Sequence, residues 1–168
     1  REVPASAMQM KQIREINLNP VEGAAKGALK LNGKAVEAEF AFENLSLLWK
    51  AVLRDGSHYL RTELEVTAQQ DVAMRGLVAM KYTYDNQFGK QLPQVVGNTR
   101  GAVIANDKIF AGLETPMGIN TVASAPTVET SQLQGLWSRQ TTLAAGKTWQ
   151  VGAVVGLIAP AQARRSFL

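Results

Sequence analysis

Cysteine is absent from this 168-residue chain, and histidine occurs once. Disulfide frameworks, zinc knuckles, iron–sulfur clusters and thiol nucleophiles are therefore excluded. The core has to come from packing alone. The length fits one domain or two very small ones, and a globule of this size buries roughly 70% of the surface its unfolded form exposes. Long apolar runs are lacking too. The longest, residues 151–161, falls far short of the roughly 20 residues that cross a bilayer, so no membrane span is expected. Charge of one sign is also scarce: 18 basic side chains stand against 14 acidic ones, a formal net charge of +4. Residues 1–84 carry 11 basic and 10 acidic side chains, and residues 85–168 carry 7 and 4. No basic run is longer than Arg164-Arg165. Nucleic-acid binders gather charge on one helix or stripe, so the expectation here is a solvated surface and no nucleic-acid partner.

What is present is a foldable chain, 46% hydrophobic and 19% charged, with a two-residue hydrophobic period over most of its length. Residues 8–18 fit a short helix and an opening strand equally. Residues 35–42 alternate Val36, Ala38, Phe40 and Phe42 with Glu37 and Glu39. Residues 45–54 run apolar to Asp55-Gly56, and residues 59–67 alternate again. Asp-Gly between two such runs predicts a hairpin, because both central residues of the favoured tight turn need positive φ. A further strand is read over 72–84, with Gly76 marking a bulge. A polar loop covers 85–94. Strands over 101–105 and 108–113 flank the turn pair Asn106-Asp107. Residues 114–131, with Pro116, Gly118 and Pro126, read as a loop or irregular edge. Two last strands, 134–143 and 148–158, are joined through Gly146. Pro160 then stops the sheet, and residues 161–168 suit the start of a helix. About eight strands without helical crossovers predict an all-β antiparallel sandwich or barrel in a single domain, 1–168.

Most catalytic motifs fail on inspection. Gly146-Lys147-Thr148 lacks the glycine five residues earlier that a phosphate loop requires, since Thr141 stands there. His58 lies in a turn between Ser57 and Tyr59, and a triad with Asp55 and Ser57 packed into four residues has no workable geometry. One His without Cys makes no ordinary zinc site, so neither metal nor cofactor is expected. Asn44-Leu45-Ser46 fits a glycosylation sequon, a triplet that chance also supplies. Glu37, Glu39, Glu63 and Glu65 fall at outward-facing strand positions and read as a solvated sheet face. Glu114 sits at a strand end, where sites form, but one acid is not a mechanism. Trp49 and Trp149 lie inside alternating runs and read as core. Trp137, among Gln134, Ser138, Arg139 and Gln140, is the candidate platform for stacking on a sugar ring.

Three stretches carry a resemblance. Residues 49–61 read WKAVLRDGSHYLR, with Leu-Arg-Asp-Gly-Ser-x-Tyr-Leu-Arg across a hairpin. Residues 97–117 hold Gly-x-x-x-Gly followed by Phe-x-Gly-x-Glu-x-Pro. Residues 143–158 hold Leu-x-x-Gly-x-Thr-Trp and a Val-Gly strand. In this order and spacing they resemble the β-sandwich domain that precedes the catalytic barrel in large bacterial alpha-galactosidase-like glycoside hydrolases, often labelled "enterotoxin". The resemblance spans about residues 30–168. Family members often have His after the Glu of the second motif, where this chain has Thr115.

The resemblance implies a galactose-mutarotase-like supersandwich. It implies a catalytic barrel on the same polypeptide as partner, with residues 159–168 as the linker to it. It places the catalytic carboxylates on that barrel and therefore no catalytic residue here, and it implies a periplasmic or secreted protein. The ends of the chain, Arg1 and the apolar Phe167-Leu168, agree with a piece of a longer protein. The leading expectation is a non-catalytic sandwich domain that supports the barrel and lends loops to glycan binding. Arg54, Arg61, Arg100 and Glu114, at turns and strand ends, are the rim candidates; their plainer reading is surface ion pairing. A free-standing carbohydrate-binding module built on Trp137 is the alternative, and an enzyme acting through Glu114 the third. The first reading expects an exposed apolar patch where the barrel docks.

Overall fold

A computed structural model describes residues 3–25, 27–124 and 129–158. Eleven strands form among them: β1 (Gln9–Leu18), β2 (Gly33–Phe42), β3 (Leu45–Arg54), β4 (Tyr59–Ala68), β5 (Val72–Asp85), β6 (Gln94–Val96), β7 (Val103–Ala105), β8 (Ile109–Leu113), β9 (Ile119–Ala123), β10 (Thr130–Leu143) and β11 (Thr148–Leu157). They hydrogen-bond into two antiparallel sheets, ordered β1-β2-β3-β4-β11-β8-β7-β6 and β5-β10-β9. The expected antiparallel β-sandwich is the observed fold. Residues 8–18 resolve to strand, because β1 pairs along β2 from Gln9↔Ala41 to Leu18↔Gly33. The stretch 114–131 is not all loop: β9 lies within it and pairs with β10 through Gln132↔Ala123 to Leu136↔Ile119. The helix read for 161–168 lies outside the described residues.

The chain divides into two compact units. One comprises the chain up to Met74 with Gln140–Gln150, the other Arg75–Arg139 with the chain from Val151. In the first unit β1 to β4 form consecutive antiparallel pairs. The predicted hairpin forms, but its turn differs from the expected one: Gly56 has φ +72° and Asp55 does not take a positive φ, because residues 55–58 make a four-residue connection in which the Ser57 N–H donates to the Arg54 carbonyl at 3.0 Å. Because side chains alternate along a strand, cross-strand partners share a face. One face aligns Phe40 with Leu47 and Val66, Ala38 with Trp49 and Leu64, and Val36 with Ala51 and Thr62. Ala35, Ala38, Leu47, Val66, Ala68, Leu143 and Trp149 are buried apolar residues of this unit, and Trp49 is half-buried.

The opposite face carries a row of ions among apolar residues such as Ala35, Leu48 and Val52. The register places Arg14, Glu37, Lys50 and Glu63 in one row across four strands. Glu37 accepts from Arg14 Nη2 at 2.7 Å and Nε at 2.9 Å, and its other oxygen lies 3.1 Å from Lys50 Nζ. Glu63 pairs with Arg61 along its own strand. Glu37 is thus not the solvated acid that its position suggests. Two cations cover it, leaving it 8% exposed.

The second unit buries Phe110, Met80, Ile104 and Leu133 almost completely. In it β8 pairs with β7 and with β11, where Ala153 faces Leu113 and Leu157 faces Ile109. The turn pair Asn106-Asp107 ties the 85–93 segment to these strands. Asn106 Oδ1 accepts from the Lys108 and Ile109 N–H groups at 2.8 and 2.9 Å, while its Nδ2 donates to the Tyr84 hydroxyl and the Gln91 carbonyl. Asp107 accepts the N–H groups of Lys90 and Gln91, and the Lys90 bond leads in holding its carboxyl below the usual range. Gly76 has φ +152°, and a Cβ there would lie 2.4 Å from the Trp137 carbonyl oxygen, so only glycine fits.

The bonds from Arg14 and then Lys50 lower the Glu37 pKa. A depressed carboxylate pKa stabilises the fold above the unfolded carboxyl's range, and that gain disappears as pH falls through the folded value. Glu37→Gln is expected to cost about 1–2 kcal/mol at pH 7. Its stability will fall less steeply than the parent's as the solution is acidified below the ordinary carboxylate range. Thermal unfolding across that range checks this; parallel pH profiles contradict it.

Candidate functional site

Turn chemistry builds the site in the second unit. The Ala102 N–H donates to the Thr99 carbonyl at 3.1 Å, closing a turn with Arg100 and Gly101 at its centre. Gly101 has φ +79°, the positive value that the third position of a type II turn requires. A second turn follows β8: the Gly118 N–H donates to the Thr115 carbonyl at 2.9 Å, with Pro116 where its fixed φ suits a turn. The two turns abut. The Gly101 N–H donates to the Gly118 carbonyl at 2.9 Å, and a Cβ on Gly101 would stand 3.1 Å from Pro116.

One buried side chain locks the pair. Asn120, on β9, accepts the Leu113 N–H at 3.1 Å and donates to the Ala102 carbonyl at 2.9 Å. It therefore fixes the end of β8 to the segment that carries the first turn. Space for it comes from Gly112 and Gly135: a Cβ on either would come within 3.1 Å of the Asn120 amide. The result is a stiff two-turn platform with Arg100 and Glu114 exposed at its ends. Val96, Met117 and Ile119 add exposed apolar surface on the neighbouring segments. The Glu114 N–H donates to the Gly152 carbonyl, which holds its backbone against β11.

Of the residues proposed from sequence, Arg100 sits within the first turn and Glu114 lies between the end of β8 and the second turn. The other candidates lie apart. Arg54 Nη1 donates to the carbonyls of Asn19 and Leu31 at 2.9 and 2.7 Å, so this guanidinium clips the 19–32 segment to the β3–β4 hairpin. Its Nε is buried without a hydrogen bond. Arg61 is half-buried and pairs with Glu63 on the face of the ion row. Trp137 is half-buried on β10, and the Arg139 guanidinium lies 5.5 Å from its ring centroid, a cation–π contact. Trp149 is buried. His58 meets Tyr59 edge-on at 5.6 Å. Among the described residues no three of His, Asp and Glu gather closely enough to hold a metal ion, and no helix is long and apolar enough to cross a membrane. Asn120 is the residue that sequence reasoning missed. Its signal is faint, a lone Asn in a stretch rich in turn formers.

No family model matches the chain, and no curated protein matches it by sequence. Solved structures do match. The galactosidase domain of an alpha-galactosidase-sucrose kinase, AgaSK, superposes over 90% of this chain with a TM-score of 0.57 at 10% identity, and the match covers 28% of that chain. A heparinase III, the BT4657 gene product, superposes over 89% with a TM-score of 0.53 at 8% identity, and the match covers 22% of that chain. The fold is that of a domain within larger enzymes. The chain spans about a quarter of the length of these structural relatives.

Removing the Asn120 side chain leaves a buried N–H and a carbonyl unpaired. Asn120→Ala is expected to cost about 2–3 kcal/mol in chemical denaturation. It should also speed amide exchange at Leu113 and across 99–102. A loss of stability without faster exchange in these turns would refute the lock.

Proposed function

We propose that this chain is a non-catalytic β-sandwich domain of a carbohydrate-active, glycoside-hydrolase-like protein. It supports a catalytic barrel of the same polypeptide and lends its paired turns to glycan binding. The observation that carries the reading is the fold match, which takes in nearly all of this chain and only about a quarter of an alpha-galactosidase-bearing protein. The residues agree with it. In the first unit Glu15, Glu37, Glu63 and Glu65 are engaged by Lys34, by Arg14 and Lys50, by Arg61 and by Gln150. An acid held in this way is poorly placed to trade protons with a substrate. The same reading puts the protein in the periplasm or outside the cell.

The paired turns suit a hydroxyl-rich ligand. A guanidinium offers several N–H donors, a carboxylate offers acceptors, and a sugar hydroxyl satisfies both. Met117 supplies apolar contact beside them. The stiffness set by Asn120 lowers the entropy cost of binding, because the turns need not be ordered by the glycan.

The test is kinetic and uses the full-length gene product on the glycoside it hydrolyses. Arg100→Ala and Glu114→Gln are each expected to raise KM about tenfold, the loss of one charge-assisted hydrogen bond, with kcat unchanged. A collapse of kcat in Glu114→Gln would make this chain catalytic and overturn the reading. Unchanged KM in both variants would remove the turns from glycan binding.

A further inference from the structure

The loop from residue 19 to residue 32 joins β1 to β2, and its return to the sheet carries chemistry that nothing above uses. Asn32-Gly33 is the one asparagine–glycine pair in the chain. Packing fixes its glycine. A Cβ on Gly33 would strike the Leu53 carbonyl oxygen and the Arg54 Cα, so no larger residue fits beside β3. Nothing comparable fixes its asparagine. Asn32 is exposed, and among the described residues no hydrogen bond holds its side chain. The close approach of two strands has thus set a glycine after a loose side-chain amide. In that pair a backbone nitrogen reaches the amide carbon with least obstruction, because glycine has no Cβ and turns freely.

The fold holds the reacting groups apart. Ring closure needs rotation about the Asn32 Cα–C bond. The Asp55 N–H donates to the Asn32 carbonyl at 2.8 Å, which opposes that rotation. Arg54 Nη1 donates to the Leu31 carbonyl at 2.7 Å and to the Asn19 carbonyl at 2.9 Å, so one guanidinium clips both ends of the loop. Gly33 stands in register between Leu18 and Arg54.

We propose that Asn32 is a self-modification site of this chain and that the Arg54 clip sets its rate. When the clip opens, the Gly33 backbone nitrogen attacks Cγ of Asn32. The new N–Cγ bond closes a five-membered succinimide. The Cγ–Nδ2 bond breaks, and the amide leaves as ammonia with the proton from the Gly33 nitrogen. Water then opens the ring. Cleavage at Cγ yields aspartate; cleavage at the backbone carbonyl yields isoaspartate, whose chain runs through the former side chain. Isoaspartate lengthens the backbone by one methylene, so the bonds to Arg54 and Asp55 no longer fit together. The modified chain therefore keeps its loop open.

The test compares folded and urea-unfolded full-length gene product at mildly alkaline pH. Mass spectrometry of the peptide carrying Asn32 counts the exchange of amide for acid. Asp55-Gly56 closes the same kind of ring by losing water that it later regains, so it leaves no mass change. Only the opened fraction reacts, so the folded protein should convert Asn32 about tenfold or more slowly than the unfolded chain. The slowing should match that of amide exchange at Asp55 and fall well short of that at Val66, buried in β4. Arg54→Met keeps the aliphatic stem and removes the donors; it should speed conversion and Asp55 exchange several-fold together. Equal rates in the folded and unfolded parent overturn the proposal. Protection of Asn32 that follows Val66 makes global unfolding the gate and overturns the clip, without recourse to any variant. In the unfolded chain, conversion at Asn32 no faster than at Asn44 or Asn98 overturns the site itself.

Discussion

A strand must satisfy two environments at once, and in β1 to β4 that constraint shapes everything else. The period of two sends every second side chain to each face. One face is built from Leu47, Val66, Trp49 and Ala38, the other from Arg14, Glu37, Lys50 and Glu63. A slip of one residue in any pairing would exchange the two sets, so the ion row and the apolar face specify the same register. The buried Glu37 follows from this alignment. Its cations come from β1 and β3, and only the register brings them to it.

The second unit solves a different problem. It has to hold turns in place where regular pairing is short, and it uses buried amides to do so. Asn106 and Asn120 each bond backbone groups of two separate segments. A buried amide earns its position only when its donors and acceptor are met, and both of these meet backbone partners. Small residues around Asn120 make room for it. The two turns next to Arg100 and Glu114 are therefore held on a hydrogen-bonded base.

Local patterns were legible in the sequence. The bounds of β3 match its apolar run, β4 exceeds its alternating run by one residue, and a hairpin forms at Asp55-Gly56. Short strands were not legible. β6 and β9 are three and five residues long, and their sequences hold too few alternations to set a period. They exist because a partner strand is there. Of the candidate site, only some positions were read from the sequence. Turn and strand-end positions pointed to Arg100 and Glu114, whereas the Arg139 guanidinium over the Trp137 ring was not read from the sequence. The duties of Arg54 and Asn120 depend on carbonyls distant in sequence, which no local pattern encodes. The family resemblance carried the fold further than periodicity did, because strand count alone leaves sandwich and barrel open.

Whether the paired turns belong to a larger machine depends on the size of the natural product. Intact mass spectrometry on the protein purified from its source cells measures this directly. A mass several times the 18.2 kDa of this chain is predicted. A mass near 18.2 kDa would contradict the account and leave the sandwich to function alone.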